Sequence, residues 1–508
     1  MSNALTTADI TAKLKEALAM PNPASLEKAG TFTQASTATS GLTYYDLELG
    51  AKFLYPVLTP LRNQTPRVSG KGGIQAAWRG ITGINTSGLR VGVSVSHRNA
   101  AMAITTKDYT AAYKGIGIES TVDFEAQYAG MGFDDMRAIG AKVGLEGLML
   151  GEEAMILGGN TSAGLGTTPT PTVTAGSSGT LGTMTLSVIC VALSLDALIN
   201  GTVAGGIQAS IARTNMDGTS DTFGGGASRK SAAGTASVTS PGSATATVTQ
   251  TAGAMGYAWF WGVGGSEVLG AITTINSVLI TANATGTQTA ASLPAADNST
   301  NSLAFDGLLT MAFSGVTPVA SAIAQGTGGS SIYTMATGTA GTGTGLTADG
   351  AGGISEIDVV LKFLWDTYRL GPDTMWVNSQ EALNISKKIL SGSSTAAQRF
   401  VFESVQDMIG GGIMVRTYLN RFSMTGGSVI DVKIHPNMPA GTVLMTSKSI
   451  PYPLSGVGNV IQIRTRQDYY QIEWPLTTRQ WQYGVYADQV LQHYFPPSMA
   501  MITNIGNA

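Results

Sequence analysis

A chain of 508 residues with three histidines and one cysteine offers few places for a metal or a nucleophile. His97, His435 and His493 fall in unrelated segments, with no carboxylate or cysteine at ligand spacing, so no metal site is expected. Cys190 has no partner for an intrachain disulfide and reads as a small buried hydrophobe. Two acidic pairs, Asp134-Asp135 and Glu152-Glu153, sit towards the ends of one long helical pattern. The first pair suits capping and the helix dipole better than acid–base catalysis. Gly338-Thr-Ala-Gly-Thr-Gly-Thr-Gly345 has the glycine content of a phosphate loop but lacks the Gly-Lys-Ser/Thr ending, and no helix opens directly after it. It reads as a mobile surface loop. No Gly-x-Ser-x-Gly elbow with a histidine partner occurs. The residues therefore assign no catalytic, cofactor-binding or metal-binding role, and the chain reads as a non-enzyme without cofactor.

The element that must position everything else is the stretch Phe133 to Leu157, which reads as one helix about 37 Å long. Glycines at 140, 144, 147 and 151 fall in one narrow sector, beside an apolar row of Met136, Ile139, Val143, Leu150 and Leu157. Each glycine costs a helix about 1 kcal/mol relative to alanine, so four in register imply that another backbone approaches closely. Gly-xxx-Gly spacing also marks membrane helix pairs, but seven charged residues interrupt this stretch. No other segment reads as a membrane span, and the N-terminus lacks a signal-peptide pattern, so a cytoplasmic setting is expected. Only 12% of residues are charged and the net charge is −3, which removes the basic excess that sequence-specific nucleic-acid binding needs. Low charge with 65 glycines implies a surface that meets protein more than water.

Before the helix, Asp9 to Met20 forms an amphipathic helical pattern, residues 24–40 an extended arm, and Leu47 to Leu61 an apolar anchor broken by prolines. Glycine-punctuated runs at Ile74–Ile81, Leu89–Val95, Met102–Thr106 and Tyr109–Ile118 read as a thin β-hairpin region with little core of its own. After the helix, Thr, Ser, Ala and Gly dominate to about Pro294, with short strands between. In Tyr257-Ala-Trp-Phe-Trp261, alternate aromatics share a strand face and read as the core of a sandwich that should be removable as a unit. The last third mixes helices at Ile354–Arg369, Ser379–Leu390 and Thr395–Ile409 with strands at Thr374–Asn378, Ile413–Leu419, Val429–His435 and Thr442–Thr446. Ser355 and Asp358 are spaced as a capping box. Further strands follow at Val460–Gln467, Tyr469–Trp474 and Gln480–Asp488, before a tail through Pro496 and Pro497. The fold class is α+β.

This order of parts resembles the major capsid protein of tailed bacteriophages, the Hong Kong ninety-seven-like fold. The C-terminal third carries the likeness best, in SEIDVVLKFLWDTYR, TMWVN, SQEALNISKKIL and the hairpin IMVRTYL to VIDVKIHPNMPAGTVLM, closed by QIRTRQDYYQIEW and the strands after it. The resemblance implies an N-terminal arm (1–71), an extended hairpin or E-loop (72–118) and a peripheral domain with a spine helix (119–160). It further implies an axial domain (301–458), then return strands of the peripheral domain with a C-terminal tail (459–508). Residues 161–300 depart from the minimal family fold and resemble an immunoglobulin-like β insertion without its disulfide. The family's role is structural: self-assembly into hexamers and pentamers of an icosahedral shell around double-stranded DNA. Scaffolding, portal and decoration proteins are the implied partners, with DNA contacted non-specifically and no membrane. The virion capsid is the implied location, after assembly in the host cytoplasm. Lys107 and Lys114 lie near the hairpin, but no acceptor for a covalent crosslink is assignable. The competing reading, from the Thr/Gly/Ala-rich insertion, is a β-rich surface-layer or adhesin-type protein.

Overall fold

A computed structural model describes residues 13, 52–84, 90–131, 134–326, 328–391, 415–424 and 427–506. Apart from Lys13, which is helical, the Asp9–Met20 helix lies outside the described residues, as do the 24–40 arm, the first residues of the Leu47–Leu61 anchor and the Thr395–Ile409 helix. In chain order the first elements are α1 (Pro60–Gln64), β1 (Arg67–Ser69), β2 (Gln75–Ile84), β3 (Ile104–Ala112), β4 (Lys114–Asp123), α2 (Phe124–Ala129) and α3 (Met136–Gly158).

The long helix is α3. Asp135 caps it, its carboxylate accepting from the amides of Arg137 at 3.1 Å and Ala138 at 3.3 Å. The helix lies on β4 and β21 (Gln480–His493), which are neighbours in a four-stranded sheet ordered β1-β20-β21-β4, where β20 is Ile461–Glu473. The expected approach of another backbone is not found at these glycines; two of the four instead face side chains closely. A Cβ at Gly140 would fall on the Tyr483 hydroxyl, and one at Gly147 would sit 3.3 Å from Ile118. At Gly144 the contact would be an ordinary 4.0 Å, and at Gly151 there would be none. The buried side of α3 follows the expected apolar row only in part: Leu157 is buried but Val143 is 45% exposed, and the other buried residues are Leu148, Glu152, Glu153 and Ile156, outside the row, with Gly158 at the helix end. Gly140→Leu should therefore overpack the interface and cost about 1–3 kcal/mol, with Gly144→Leu milder; thermal unfolding of the two variants checks the ranking.

The strand readings need three corrections. Residues 90–103 hold no strand, so Leu89–Val95 is irregular chain over its described part. The run Tyr109–Ile118 divides at Tyr113, where β3 closes the hairpin and β4 joins the α3 sheet. Val460–Gln467 and Tyr469–Trp474 are one strand, β20, kept continuous by bulges after Thr465 and Gln467.

The insertion holds β5 (Thr172–Leu181), β6 (Met184–Leu193), α4 (Leu195–Asn200), β7 (Ser210–Thr214), β8 (Ser220–Gly224), β9 (Gly234–Val238), β10 (Gly242–Thr247), β11 (Gly256–Val263), β12 (Val268–Thr273) and β13 (Ser277–Ile280). Sheets ordered β13-β10-β5 and β12-β11-β6-β9 pack face to face, with Tyr257, Trp259, Trp261 and Cys190 in the core between them. The Trp259 indole donates to Thr273 Oγ1 at 2.8 Å, so its burial leaves no polar atom stranded. The sandwich is present, but its strand order is not that of an immunoglobulin domain, which groups the first, second, fifth and fourth strands. Here β6 and β11 are apolar on both faces and take the centre of one sheet, covered on the far side by Ala197, Leu293 and neighbours. The insertion is packed into the rest of the chain rather than set apart from it. Leu195 and Met255 share one core with Ile156, Leu157 and Phe305. Asn276 adds a polar tie to the C-terminal strand region, its amide donating to Asn504 Oδ1 at 3.0 Å.

The remaining elements are α5 (Leu308–Phe313), β14 (Ala322–Gln325), β15 (Ser331–Thr334), α6 (Ser355–Tyr368), β16 (Thr374–Val377), α7 (Ser379–Ser391), β17 (Thr417–Asn420), β18 (Ser428–Ile434), β19 (Val443–Thr446) and β22 (Ala500–Thr503). They build a seven-stranded sheet ordered β14-β15-β22-β19-β16-β18-β17. Its central strands are apolar on both sides because both faces are covered. Met375, Val377, Val443 and Ile502 meet α6 and α7, whereas Trp376, Leu444 and Met501 meet α5 and the end of α3. The expected C-terminal tail is thus corrected: residues after Pro497 run back as β22 into this sheet, with Met499 to Ile502 fully buried. The expected capping box is absent, since the Asp358 carboxylate accepts from the Tyr418 hydroxyl at 2.8 Å instead. Nor is 338–345 a free loop. Gly343, at φ +78°, lies so close to Gly506 that a Cβ on it would stand 2.8 Å from the Gly506 Cα, and the Gly506 amide donates to the Thr344 carbonyl at 2.7 Å. With helices and mixed sheets interleaved in this way, the fold is α+β, as expected.

Candidate functional site: a buried charge junction and an exposed hairpin

Acidic side chains near a helix C-terminus oppose the helix dipole, so Glu152 and Glu153 need partners from elsewhere. Both are buried on α3. Glu153 caps α1 from outside the helix: it accepts from the amides of Leu61 at 2.8 Å and Arg62 at 2.6 Å. Its Oε1 also lies 2.7 Å from His435 Nε2. Since His435 Nδ1 accepts from the Asn437 amide at 3.1 Å, the ring proton sits on Nε2 and is donated to Glu153.

Glu152 binds the other side. Its oxygens meet Arg62 Nε at 3.0 Å, Arg67 Nη1 at 2.5 Å and Gln489 Nε2 at 2.8 Å, and accept the Tyr469 hydroxyl proton. The two guanidinium carbons stand 5.2 and 4.4 Å from the Tyr469 ring centre. Arg67 continues to Asp468 at 2.7 Å. Burial pushes the Asp468 carboxyl up, but the bonds from Arg67 and the Tyr469 amide outweigh it and hold it below the usual range. Burial and the adjacent Glu152 push Tyr469 up to about 12, so it remains a neutral donor. One helix face thereby ties together α1, β1, β20, β21 and the turn after β18. The arrangement holds geometry and presents no nucleophile to solvent.

Of the residues singled out by type, His97 lies exposed in the irregular 90–103 stretch, and His493 is buried, where desolvation lowers its pKa to about 3 and keeps the ring neutral. Cys190 is buried in the sandwich, and burial raises its thiol pKa. Among the described residues no three His, Cys, Asp or Glu side chains stand together as metal ligands. A further buried acid is Glu381 on α7, which accepts from the Gly441 amide at 3.0 Å; burial raises it from 4.5 to about 7 despite that bond and one from Asn384. A raised carboxyl pKa means that the folded chain keeps a proton the unfolded chain has lost. Stability should therefore fall as pH rises through the window from 4.5 to about 7, by on the order of 3 kcal/mol in full. Glu381→Gln should unfold at a higher temperature than the parent at pH 8, with the gap closing near pH 4.5.

The second feature is the β2–β3 hairpin, a two-stranded sheet by itself. Its root is held: Ala76 is buried in the central core, and Trp78 stacks on Tyr109 at 5.8 Å and meets Tyr494 edge-on at 5.9 Å. Beyond the root, Ile81, Ile84, Val91, Val93, Val95, Met102 and Ile104 are each more than half exposed, Val95 reaching 91%.

No protein-family model and no curated protein matches the sequence. Among solved structures, the chain is similar to the capsid of a native GTA particle, at 11% identity and TM-score 0.43 over 94% of this chain and 100% of that one. It is also similar to the capsid of Myoviridae phage XM1, at 8% identity and TM-score 0.37 over 90% and 95%. A third likeness is to the holo-SrpI encapsulin complex from Synechococcus elongatus PCC 7942, at 8% identity and TM-score 0.37 over 90% and 93%.

Proposed function

We propose that the chain is a structural subunit of a bacteriophage head, assembling through hexamers and pentamers into an icosahedral shell around double-stranded DNA. The observation that carries this reading is the hairpin. A two-stranded hairpin is marginal in water, and this one holds its outer apolar side chains outside the cores that the described residues form. Covering each on a neighbour gains about 1.5–3 kcal/mol. Many copies engaged at once add avidity, and a closed symmetric assembly supplies the neighbour to every copy. The junction at Glu152 and Glu153 serves that role by fixing the chain entering at α1 against the body from which the hairpin projects. The low charge of the chain suits an inner surface on which packaged DNA slides rather than sticks. In this reading the protein is non-enzymatic, is made in the host cytoplasm and ends in the virion, with scaffolding, portal and decoration proteins as partners. Light scattering on the purified chain, alone and co-expressed with its neighbouring genes, should give masses of capsomers or shells; a monomer mass under every condition would sink the proposal.

A further inference from the structure

The far edge of β4 is open. In the sheet ordered β1-β20-β21-β4, no described strand pairs with that edge along the ten residues of β4. An unpaired edge of that length is a template for another strand. Apolar groups stand beside it on the α3 side. Ile118 of β4, whose side chain reaches Gly147 of α3, is 38% exposed, and Val143 of α3 is 45% exposed. Leu148 and Glu152 lean towards β21, where they meet Val485, Ala487 and Gln489. Val143 sits on the opposite flank of the glycine face and so points towards the β4 edge. The edge thus asks for a strand with one apolar face.

The outer hairpin carries such a segment. Arg90-Val-Gly-Val-Ser-Val95 alternates valine with small residues, the pattern of a strand with one apolar face. Ser96, at φ +67°, ends it. Within the single chain this segment forms no strand and residues 90–103 are all exposed, so it does not occupy its own β4 edge. The nine residues of β3 span about 30 Å from the hairpin root, which brings the segment within reach of another copy. Charge favours that contact. Residues 71–114 hold six lysines or arginines and one acid, Asp108, whereas residues 115–136 hold five acids and no basic residue. We propose that residues 90–95 of one copy add to the free β4 edge of a second copy as an antiparallel strand. Arg90 then stands opposite Asp123, Val93 opposite Ser120 and Val95 opposite Ile118. This register sets the valines on the α3 side beside Ile118 and Val143, and a slip of one residue would turn them away. The presence of a neighbour rests on the shell reading. Because segment and edge are different surfaces, each copy gives one and receives one, and such contacts close into rings.

Disulfide trapping in the assembled full chain tests it, in a Cys190→Ala background. Val93→Cys with Ser120→Cys should oxidise between chains and give a reducible ladder of multimers. Gly92→Cys with Ser120→Cys, one residue off and on the other face, should give at least about tenfold less. Arg90→Glu should weaken assembly about tenfold by setting like charges together, and adding Asp123→Arg should restore it. Both residues are exposed, so neither change should move the unfolding temperature. Particles that form without the interchain crosslink would overturn the pairing and leave the shell reading standing. Crosslinked chains that never form rings or shells would uphold the pairing and sink the shell reading; neither crosslink nor particle would sink both. A crosslink within one chain, or a double variant no better than Arg90→Glu alone, would also overturn the pairing.

Discussion

Glu153→Ala should destabilise the folded chain by about 3–5 kcal/mol, the range for breaking a buried ionic hydrogen-bond set by removing one partner. The loss has three sources. The amides of Leu61 and Arg62 lose the acceptor that caps α1, and His435 Nε2 loses its acceptor while buried. The cavity left is polar and closed, so water can replace only part of what is lost. Glu153→Gln keeps one carbonyl acceptor and should lie between the parent and alanine. Urea unfolding measures the series, and the same samples show whether the effect is local. Because the residue ties α1 to the turn after β18, proteolysis of the chain before Leu61 should rise in Glu153→Ala before global unfolding begins. Equal stability of all three proteins would show that the junction is incidental.

Removing the outer hairpin should have the largest effect on assembly and almost none on folding. Gly80 and Lys107 face each other across the β2–β3 ladder. Replacing residues 81–106 with Asn-Gly therefore closes the strands through a two-residue turn that suits hairpin twist. The root survives, since Ala76, Trp78 and Tyr109 are untouched. What goes is the exposed apolar surface, so the shortened chain should match the parent in thermal unfolding and be more soluble as a monomer. Assembly should fall by orders of magnitude, because the same docking surface disappears from every copy in the shell. A shortened chain that still assembles at parental concentrations would remove the hairpin from the mechanism.

The legible parts of this fold were those whose cause is local. The glycine spacing in α3 announced a bare stripe, but the expected backbone does not lie against it: the Tyr483 and Ile118 side chains approach Gly140 and Gly147, and spacing could not separate these from Gly144 and Gly151. The alternating aromatics of β11 were legible because a strand repeats every two residues. The hairpin was legible as a stretch without a core. The junction was not, since Glu152 and Glu153 meet Arg62, His435 and Gln489 across 90, 282 and 337 residues of chain. The one available signal was two acids at the wrong end of a helix dipole. β22 was missed because four residues after a Pro-Pro step read as a tail; only the seven-stranded sheet explains why Ala500 to Ile502 are wholly buried. The sandwich's strand order was beyond reach for a similar reason, since pairing depends on which strands are apolar on both faces.

The most direct test of the shell reading is electron microscopy of the full chain, expressed alone and with its neighbouring genes, across protein concentration and ionic strength. The expected images show five- and six-membered rings and closed shells, with the hairpin of each copy lying over its neighbour. Isolated single chains under every condition, with hairpins free in solvent, would contradict it.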